Sequence, residues 1–490
     1  MKDVNNSKIN DYRNIFKATS LFGGVQLIQI VIQVIKQKII AILLGPFGMG
    51  INGLYISSSS FIQGLTSLGL TSSAVKNIAE AYGSGDSDKI SKIISVLKKI
   101  VWFTGLLGML VLIITSPILS KVTFGNYDYT IPFIFLSITL LFQQLSNGQI
   151  IILQGLRRLK DLAKASVLGS FAGLIISAPI YYFFGINGII PTLILSSITT
   201  LSFTWYFSSK LNYNKVELSI HDTLLEGKEM MKMGVVMSLN NILVLGVAFI
   251  TRIIIMKTGN TEEVGLYNAG FVIINGYFGL IFNAMSTDYY PRLSAVNKDN
   301  RRTNEIVNQQ TEISLLIISP LILFFLLLTP YIIQILYSKE FLPIIKFIQW
   351  AIIGMLFKTS SWAISYQFIA KSNVKQFAIN ELIANTIILT INTIGYLYWG
   401  LEGLGIAFTL SMILYFLQIY YSAYKCYSFK YTKETIRMKS LFIFIIVLSF
   451  IFVRFHDNYI SFIIILFACI ICMFYSLYKL NKLLYIFKSN

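Results

Sequence analysis

The chain has 490 residues, of which 55% are hydrophobic and only 13% are charged, and its mean hydropathy is +0.69. A soluble chain would carry about 25% charged residues, so the composition excludes an ordinary soluble protein. The 40 Lys and Arg residues outnumber the 22 Asp and Glu residues. They lie in short loops between apolar runs, a placement that argues against nucleic acid as a partner.

Apolar runs long enough to cross a membrane follow one another along almost the whole sequence. A membrane-spanning helix needs about 20 mainly apolar residues, because the hydrocarbon core is about 30 Å thick. The stretches 313–328 and 441–453 are apolar on every side, unlike the helices of a soluble bundle. The sequence therefore predicts an all-α, polytopic membrane protein of about fourteen helices, at 20–44, 50–74, 100–122, 131–153, 164–184, 186–208, 232–257, 265–287, 312–336, 344–370, 376–398, 403–425, 439–456 and 459–478.

The distribution of basic residues predicts the orientation of these helices. About 31 of the 40 Lys and Arg residues fall in the segments on one side of the membrane, and about five fall on the other. Positively charged loops stay in the cytoplasm, so we expect both termini to be cytoplasmic. The first 17 residues are polar and lack a small-residue cleavage site, so we expect no cleavable signal.

An internal repeat is the most informative feature of the sequence. Three landmarks recur in the same order at offsets of about 212 to 215 residues: Gly53-Leu-Tyr with Gly265-Leu-Tyr, Ser116-Pro with Thr329-Pro, and Tyr182-Phe-Phe-Gly with Leu397-Tyr-Trp-Gly. Matched landmarks at a nearly constant offset indicate that predicted helices 1–6 and 7–12 are two copies of one unit.

The repeat predicts a two-lobe architecture. Because each copy has an even number of helices, both have the same orientation, and we expect a pseudo-two-fold axis along the membrane normal with a central cavity between the lobes. The predicted N-lobe covers residues 1–212 and the predicted C-lobe covers residues 213–438. Predicted helices 13 and 14, within residues 439–490, have no partner in the repeat.

Four basic residues lie well inside predicted helices and away from the helix ends, where a charge is costly and usually marks function. Lys358 lies about 13 residues, or roughly 20 Å, from either end of its helix. Lys36, Lys38 and Arg252 lie roughly 8–10 Å from the outer end of theirs, so snorkelling to the outer surface is an alternative for them. Basic groups that face one cavity from both lobes would suit a phosphate-bearing substrate, and arginine offers a bidentate fork.

One acidic residue also falls inside a predicted helix. Glu381 could serve as a proton or cation site, or it could pair with Lys371 or Lys375, and the sequence favours neither. The chain lacks the nucleotide-binding pattern G-x-x-x-x-G-K-[ST] and the zinc pattern H-E-x-x-H. Its outer loops are short, and Cys469 and Cys472 lie in an apolar helix where packing is the expected role. We therefore expect no enzyme, no metal and no cofactor.

The chain resembles the polysaccharide and O-antigen flippases (Wzx-like proteins), which are relatives of the multidrug and toxin extrusion carriers and of the lipid II flippases. The resemblance covers most of residues 18–425 and is nearest to translocases of O-antigen or enterobacterial common antigen. It depends on motifs that occur in order in both lobes: Lys38 with Leu-Leu-Gly-Pro-Phe-Gly-Met-Gly at 43–50, Thr-Phe-Gly-Asn-Tyr-Asp-Tyr at 123–129, Gly-Leu-Arg-Arg at 155–158, Arg252 with Glu-Val-Gly at 263–265, Tyr-Pro-Arg-Leu-Ser at 290–294, Lys358 with Ile-Ala-Lys at 369–371, and Glu381.

The resemblance implies a substrate and a location. The substrate would be an undecaprenyl-diphosphate-linked oligosaccharide that is flipped from the cytoplasmic to the outer leaflet of the bacterial inner membrane. Cationic residues in a cavity between the lobes would hold its diphosphate. Membrane lipids and the polysaccharide polymerase and chain-length machinery would be partners, and nucleic acid would not.

Two other functions remain as alternatives. A cation-coupled multidrug or toxin antiporter should carry acidic residues deep in predicted helices 1, 2 or 7, and the sequence has none there. A membrane-embedded glycan polymerase or glycosyltransferase should carry a large catalytic outer loop, which the sequence also lacks.

Overall fold

The computed structural model describes residues 2–211, 216, 219–455 and 459–489. Across these residues the regular structure is helical, and eleven helices are long and apolar enough to cross a membrane. This result confirms the predicted all-α membrane class. His456 and the predicted lobe boundary between residues 212 and 213 lie outside the described residues.

Three of the eleven spans are too long for a single crossing. Ile28–Thr66, Leu159–Ser209 and Val374–Tyr427 contain 39, 51 and 54 residues, whereas one crossing takes about 20. Each contains a glycine at which the chain leaves the helical path, with a φ of 62° at Gly45, 54° at Gly185 and 55° at Gly400. Only glycine adopts such angles without strain, so these three residues are natural reversal points. Division of the three spans there is consistent with the predicted fourteen helices.

The chain divides into two compact units, Met1–Val264 and Gly265–Asn490. The helices of the first unit are α1 (Lys2–Thr66), α2 (Leu70–Ser84), α3 (Ser87–Phe124), α4 (Thr130–Gly155), α5 (Leu159–Phe184), α6 (Ile189–Ser209) and α7 (Ile220–Thr258). Within this unit α7 packs against α1, α2 and α3. The division therefore groups α7 with the helices that precede it. The lobes predicted from the repeat are defined by internal symmetry, a different criterion, and they remain a prediction.

The predicted helix over residues 50–74 is wrong at its C-terminal end. The first helix ends at Thr66 and α2 begins at Leu70, because Leu68 and Gly69 have left-handed φ angles of 52° and 59°. At Gly69 the chain approaches α7 so closely that a Cβ atom would lie 1.9 Å from the carbonyl oxygen of Gly234. This contact between two backbones has no room for a side chain, and the helix is interrupted there.

The second unit contains the last seven helices of the chain. They are α8 (Thr261–Phe271), which begins in the first unit, α9 (Phe278–Ala295), α10 (Asn300–Leu336), α11 (Ile345–Ala370), α12 (Val374–Tyr427), α13 (Lys433–Phe455) and α14 (Tyr459–Ser489). The predicted helix over 265–287 is incomplete, since a π-helical turn at Val272–Tyr277 separates α8 from α9. Turns of this kind change the direction of the following side chains and are frequent at functional sites.

Matched local structures occur at positions that the predicted repeat pairs. The side chains of Asp86 and Asp299 cap α3 and α10 by accepting hydrogen bonds from two backbone N–H groups each. The reversals at Gly185 and Gly400 have nearly equal backbone angles, with φ and ψ of 54° and −130° in one and 55° and −139° in the other. Both pairs are separated by 213 to 215 residues, which is consistent with the predicted repeat.

Aromatic pairs extend this correspondence to the helix starts. The ring of Tyr55 meets that of Phe133 edge-on at 5.2 Å, and the ring of Tyr267 meets that of Phe347 edge-on at 5.8 Å. Both tyrosines are buried, and they belong to the Gly-Leu-Tyr landmarks. An edge-on contact between this tyrosine and a phenylalanine therefore occurs at the matching landmark of each unit. The direction of the symmetry axis stays a prediction.

The reversal within α12 gives a direct test of the glycine contacts. A Cβ atom at Gly403 would lie 1.8 Å from the carbonyl oxygen of Gly395, whereas a Cβ atom at Gly83 in α2 meets nothing within 4 Å. We expect Gly403→Ala to destabilise the protein by about 1–3 kcal/mol, the usual cost of overpacking. Gly83→Ala should be neutral or stabilise by up to about 1 kcal/mol. Thermal unfolding midpoints in detergent would check this pair, and equal midpoints would contradict the tight reversal.

Candidate functional site

Lys358 lies in the middle of α11, far from both helix ends. Its Nζ atom donates a hydrogen bond of 2.9 Å to Oδ1 of Asn275. The rings of Phe282 and Phe408 lie 6.0 and 5.9 Å from the same atom. Among the described residues no carboxylate pairs with Lys358, so its charge is solvated by one neutral amide and two ring faces. The side chain as a whole is half-buried.

Asn275 owes its position to the π-helical turn between α8 and α9. The turn contains Asn275 and Gly276, and a Cβ atom at Gly276 would touch only Val272 of the same turn. The widened turn places the Asn275 amide against α11, where it reaches Lys358 across a sequence separation of 83 residues. Sequence reasoning missed Asn275, because an uncharged amide beside a glycine carries no signal that distinguishes it from a loop residue.

Lys36 and Lys38 leave α1 in different directions. Residues two positions apart on a helix do not face each other, so the two side chains point to different sides of α1. Both are half-buried. Lys38 lies on the same side of the helix as Val31 and Ile42, which are exposed. The surface that Lys38 reaches is thus mainly apolar, and a role in substrate binding requires that this surface belong to a cavity.

The Arg252 side chain is directed along its own helix. Its Nη1 atom donates a hydrogen bond of 2.7 Å to the carbonyl oxygen of Ala248, one turn earlier in α7. That direction leads away from Lys257 and the predicted outer end of the helix. An arginine that snorkelled to the outer surface would extend the other way. The geometry therefore favours an interior role for Arg252 over snorkelling.

The carboxylate of Glu381 is bonded to a tyrosine. The hydroxyl of Tyr415 donates to Oε1 of Glu381 at 2.6 Å. The two residues lie in α12 on opposite sides of the reversal at Gly400. Lys371, one of the two predicted partners, donates instead to the backbone carbonyl of Asn297 and lies 5.3 Å from the ring of Tyr427. Burial lowers the pKa of Lys371, and the nearby Asp299 carboxylate partly opposes that effect.

The predicted site residues are distributed over both units. Lys36, Lys38 and Arg252 belong to the first unit, and Lys358 and Glu381 belong to the second. A separate cavity of about 690 Å³ in the first unit is mainly apolar, and its lining comprises Ile51, Tyr55, Asp128, Tyr129, Ile131, Pro132, Phe135, Ile186, Asn187, Ile190, Pro191, Ile194 and Leu195. None of the predicted basic residues lines that cavity. A shared cationic site between the units stays a prediction.

The chemistry available at Lys358 is binding rather than bond-making. A cation with neutral partners in a membrane helix attracts an anionic group and gains a charge-assisted hydrogen bond from it. Among the described residues no cluster of three or more His, Cys, Asp or Glu side chains could hold a metal ion. The cysteines of α14 are unpaired: Cys472 is buried, Cys469 is half-buried, and the thiol of Cys469 lies 3.9 Å from the backbone carbonyl of Pro320.

Two family models match more than half of the chain each. The model described as polysaccharide biosynthesis protein matches residues 39–346. The model described as lipid II flippase MurJ matches residues 226–479. The two matches overlap in the region that contains Arg252 and Asn275, and the second also includes α13.

Similar proteins and structures agree with these matches. The lipid III flippases of Escherichia coli (strain K12) and Shigella flexneri are each 21% identical over 412 residues, which cover 82% of this chain and 96% of theirs. A solved structure of the lipid II flippase MurJ in an inward closed conformation has a TM-score of 0.70 at 15% identity and covers 95% of this chain and 99% of its own. An inward-facing multidrug resistance transporter of the MATE family has a TM-score of 0.68 at 17% identity and covers 81% of this chain and 95% of its own. The chain therefore belongs to the polysaccharide biosynthesis protein family and matches the lipid II flippase family, with the fold shared by MurJ and the MATE transporters.

Proposed function

We propose that this protein is a flippase for an undecaprenyl-diphosphate-linked oligosaccharide of the O-antigen type. It would move this lipid from the cytoplasmic to the outer leaflet of the bacterial inner membrane. Both family matches and the lipid III flippase relatives support a lipid-linked glycan as the cargo. In this role the chain is a carrier, not an enzyme, and it works beside the polysaccharide polymerase and chain-length machinery.

The observation that best supports the proposal is that Lys358, in the middle of a membrane helix, has a neutral hydrogen-bond partner. An ionisable group in the bilayer costs several kcal/mol unless it faces a polar cavity or a partner. Lys358 is bonded to a neutral amide, and no carboxylate among the described residues offsets its charge. A diphosphate that replaced or joined Asn275 would offset it. A hydrogen bond to a charged group contributes about 1.5–3 kcal/mol, which is enough to select a phosphorylated lipid over a neutral one.

Lys38 would supply a charge from the other lobe, and Arg252 would supply a second charge from the lobe that contains Lys358. Lys38 and Arg252 are separated by 214 residues, within the range of the repeat offsets, so they occupy equivalent places in the two copies. The bond from Arg252 to Ala248 holds its guanidinium away from the predicted outer end of α7. In the proposed mechanism the predicted lobes, 1–212 and 213–438, rock against each other around a site between them. Both termini would remain in the cytoplasm.

A cation-coupled multidrug antiporter is the second candidate function. The observation in its favour is the MATE-like fold together with the Glu381 carboxylate, which is held by the Tyr415 hydroxyl at 2.6 Å. A carboxylate in this position could bind a coupling ion. This possibility is compatible with the flippase proposal, since the same group could couple glycan transport. A lysine in mid-helix favours anionic cargo and argues against a cationic drug as the main substrate.

Replacement of Lys358 tests the phosphate-binding role. We expect Lys358→Ala to weaken transport by roughly 10- to 150-fold, the equivalent of one hydrogen bond to a charged group. Lys358→Arg should retain part of the activity because it keeps the charge, and Lys358→Glu should retain little. The measurement is glycan export in deletion cells that express each variant at matched levels. Lys375→Ala, at an exposed lysine in the first turn of α12, is the control. Full export by Lys358→Ala would refute the proposed site.

Asn275 provides a second test that leaves Lys358 in place. Asn275→Asp would create a carboxylate at the position where Oδ1 now accepts a hydrogen bond of 2.9 Å from Lys358. The new ion pair would neutralise the lysine and compete with phosphate, so transport should fall. Asn275→Ala removes the amide and leaves the lysine charge available, so it should retain more transport than Asn275→Asp. The reverse order of the two variants in the same export assay would show that the Lys358 charge does not bind cargo.

A further inference from the structure

A second lysine of the second unit is buried among aromatic rings. Lys439, in the second turn of α13, is only 8% exposed. Its Nζ atom lies 3.2 Å from the centre of the Phe416 ring, 5.4 Å from that of Tyr431 and 5.9 Å from that of Phe357. The three rings come from α11, α12 and the segment before α13. We call Lys439 and these three rings the lysine cage.

No carboxylate offsets the charge of Lys439 within the described part of the chain. The acidic residues of the neighbouring elements have other partners. Glu312 of α10 accepts from the Thr435 hydroxyl at 2.5 Å, and Glu434 accepts from Lys479 of α14 at 2.7 Å. Among the residues that the structure describes, only ring faces hold the lysine, in a cation–π arrangement.

The membrane environment explains why a charge is useful in this position. Lipid chains are as apolar as leucine, so apolar contacts between helices in a bilayer gain no hydrophobic driving force. Polar and cation–π contacts persist there and hold one helix at one place on another. A methionine would fill nearly the same volume as Lys439, but it would lack the attraction of the ammonium group for the rings.

Polar contacts fix the rest of α13 as well. At the inner end the Thr435 hydroxyl also lies 3.0 Å from Oδ1 of Asn308 in α10. At the other end Arg454 forms an ion pair with Glu402 of α12, in which the Nη2 atom lies 2.5 Å from the Oε1 atom. The same oxygen accepts from the indole N–H of Trp350 at 3.2 Å. The helix α13 is thus fastened at both ends to α10, α11 and α12.

We propose that the lysine cage, together with the contacts at Asn308 and Glu402, clamps α13 against α10, α11 and α12. As a result, α13 and α14 would move as one rigid body with the rest of the second unit. Lys439 is a positioning residue in this account and does not touch the cargo. The rigid-body part assumes that the protein is a transporter with moving lobes, and so it rests on the proposed function. The clamp itself does not depend on that function.

The natural cysteines report on the clamp without any transport assay. Cys472 of α14 is buried, and Cys426 is exposed. In purified protein we expect a maleimide to modify Cys472 roughly 30-fold faster in Lys439→Met than in the wild type, a ratio that corresponds to about 2 kcal/mol. Lys433→Met, at an exposed lysine of the same helix, should label like the wild type. In Lys439→Ala, which leaves the cage empty, added ethylammonium should slow the labelling again. Equal Cys472 labelling in Lys439→Met and wild type would overturn the clamp.

A disulfide tests the rigid-body part. In a variant without the natural cysteines, Asn308→Cys and Thr435→Cys replace side chains whose polar atoms lie 3.0 Å apart, and oxidation should join α10 to α13. We expect glycan export by the oxidised protein to equal export by the reduced protein. Loss of export on oxidation, with recovery on reduction, would show that α13 must move relative to α10 and would overturn the proposal. Absence of export in the cysteine-free parent, which itself should export, would instead count against the proposed function.

Discussion

The cost of a charge in hydrocarbon is the constraint on which the rest of this account depends. The second unit contains two lysines in apolar helices, and their surroundings differ. Lys439 is almost fully enclosed by three aromatic rings, whereas Lys358 is half-buried and bonded to one neutral amide. A cation surrounded by ring faces can stabilise a contact between helices, and a cation bonded to a neutral amide can exchange that partner for an anionic ligand. We therefore propose that the same residue type serves architecture in one position and cargo binding in the other.

Glycine contacts set the frame that holds these side chains. Where backbones meet directly, as at Gly69 with Gly234 and at Gly395 with Gly403, no side chain fits between them. Close approach of this kind is a common way for membrane helices to associate, because van der Waals packing replaces the hydrophobic effect in lipid. Beside the matching reversal at Gly185, a Cβ atom at Gly188 would lie 2.8 Å from the carbonyl oxygen of Ile180, so close backbone approach recurs there. Helix pairs that pack this closely at glycine would suit a carrier whose lobes move as rigid bodies.

The sequence predicted the membrane class, the family and the helix ends beside Gly45, Gly185 and Gly400 well, because these depend on long apolar runs and on glycine. It failed where tertiary contacts decide local structure. The break after Thr66 depends on contact with Gly234 of α7, which is far away in the sequence, so no local sequence pattern predicts the break. The sequence places Lys439 at the very start of a predicted helix (439–456), where a lysine is unremarkable, and only the folded chain shows the rings around it. Asn275 was missed for the same reason.

In the proposed function, this protein recognises a lipid-linked diphosphate through the Lys358 ammonium group. Binding of a short-chain polyprenyl diphosphate and of the corresponding alcohol to the purified protein, measured side by side at one salt concentration, tests it most directly. A charge-assisted contact contributes about 1.5–3 kcal/mol, so the diphosphate should bind at least roughly tenfold more tightly. Lys358→Ala should abolish most of that difference. Equal affinity for the diphosphate and the alcohol in the wild-type protein would contradict the account.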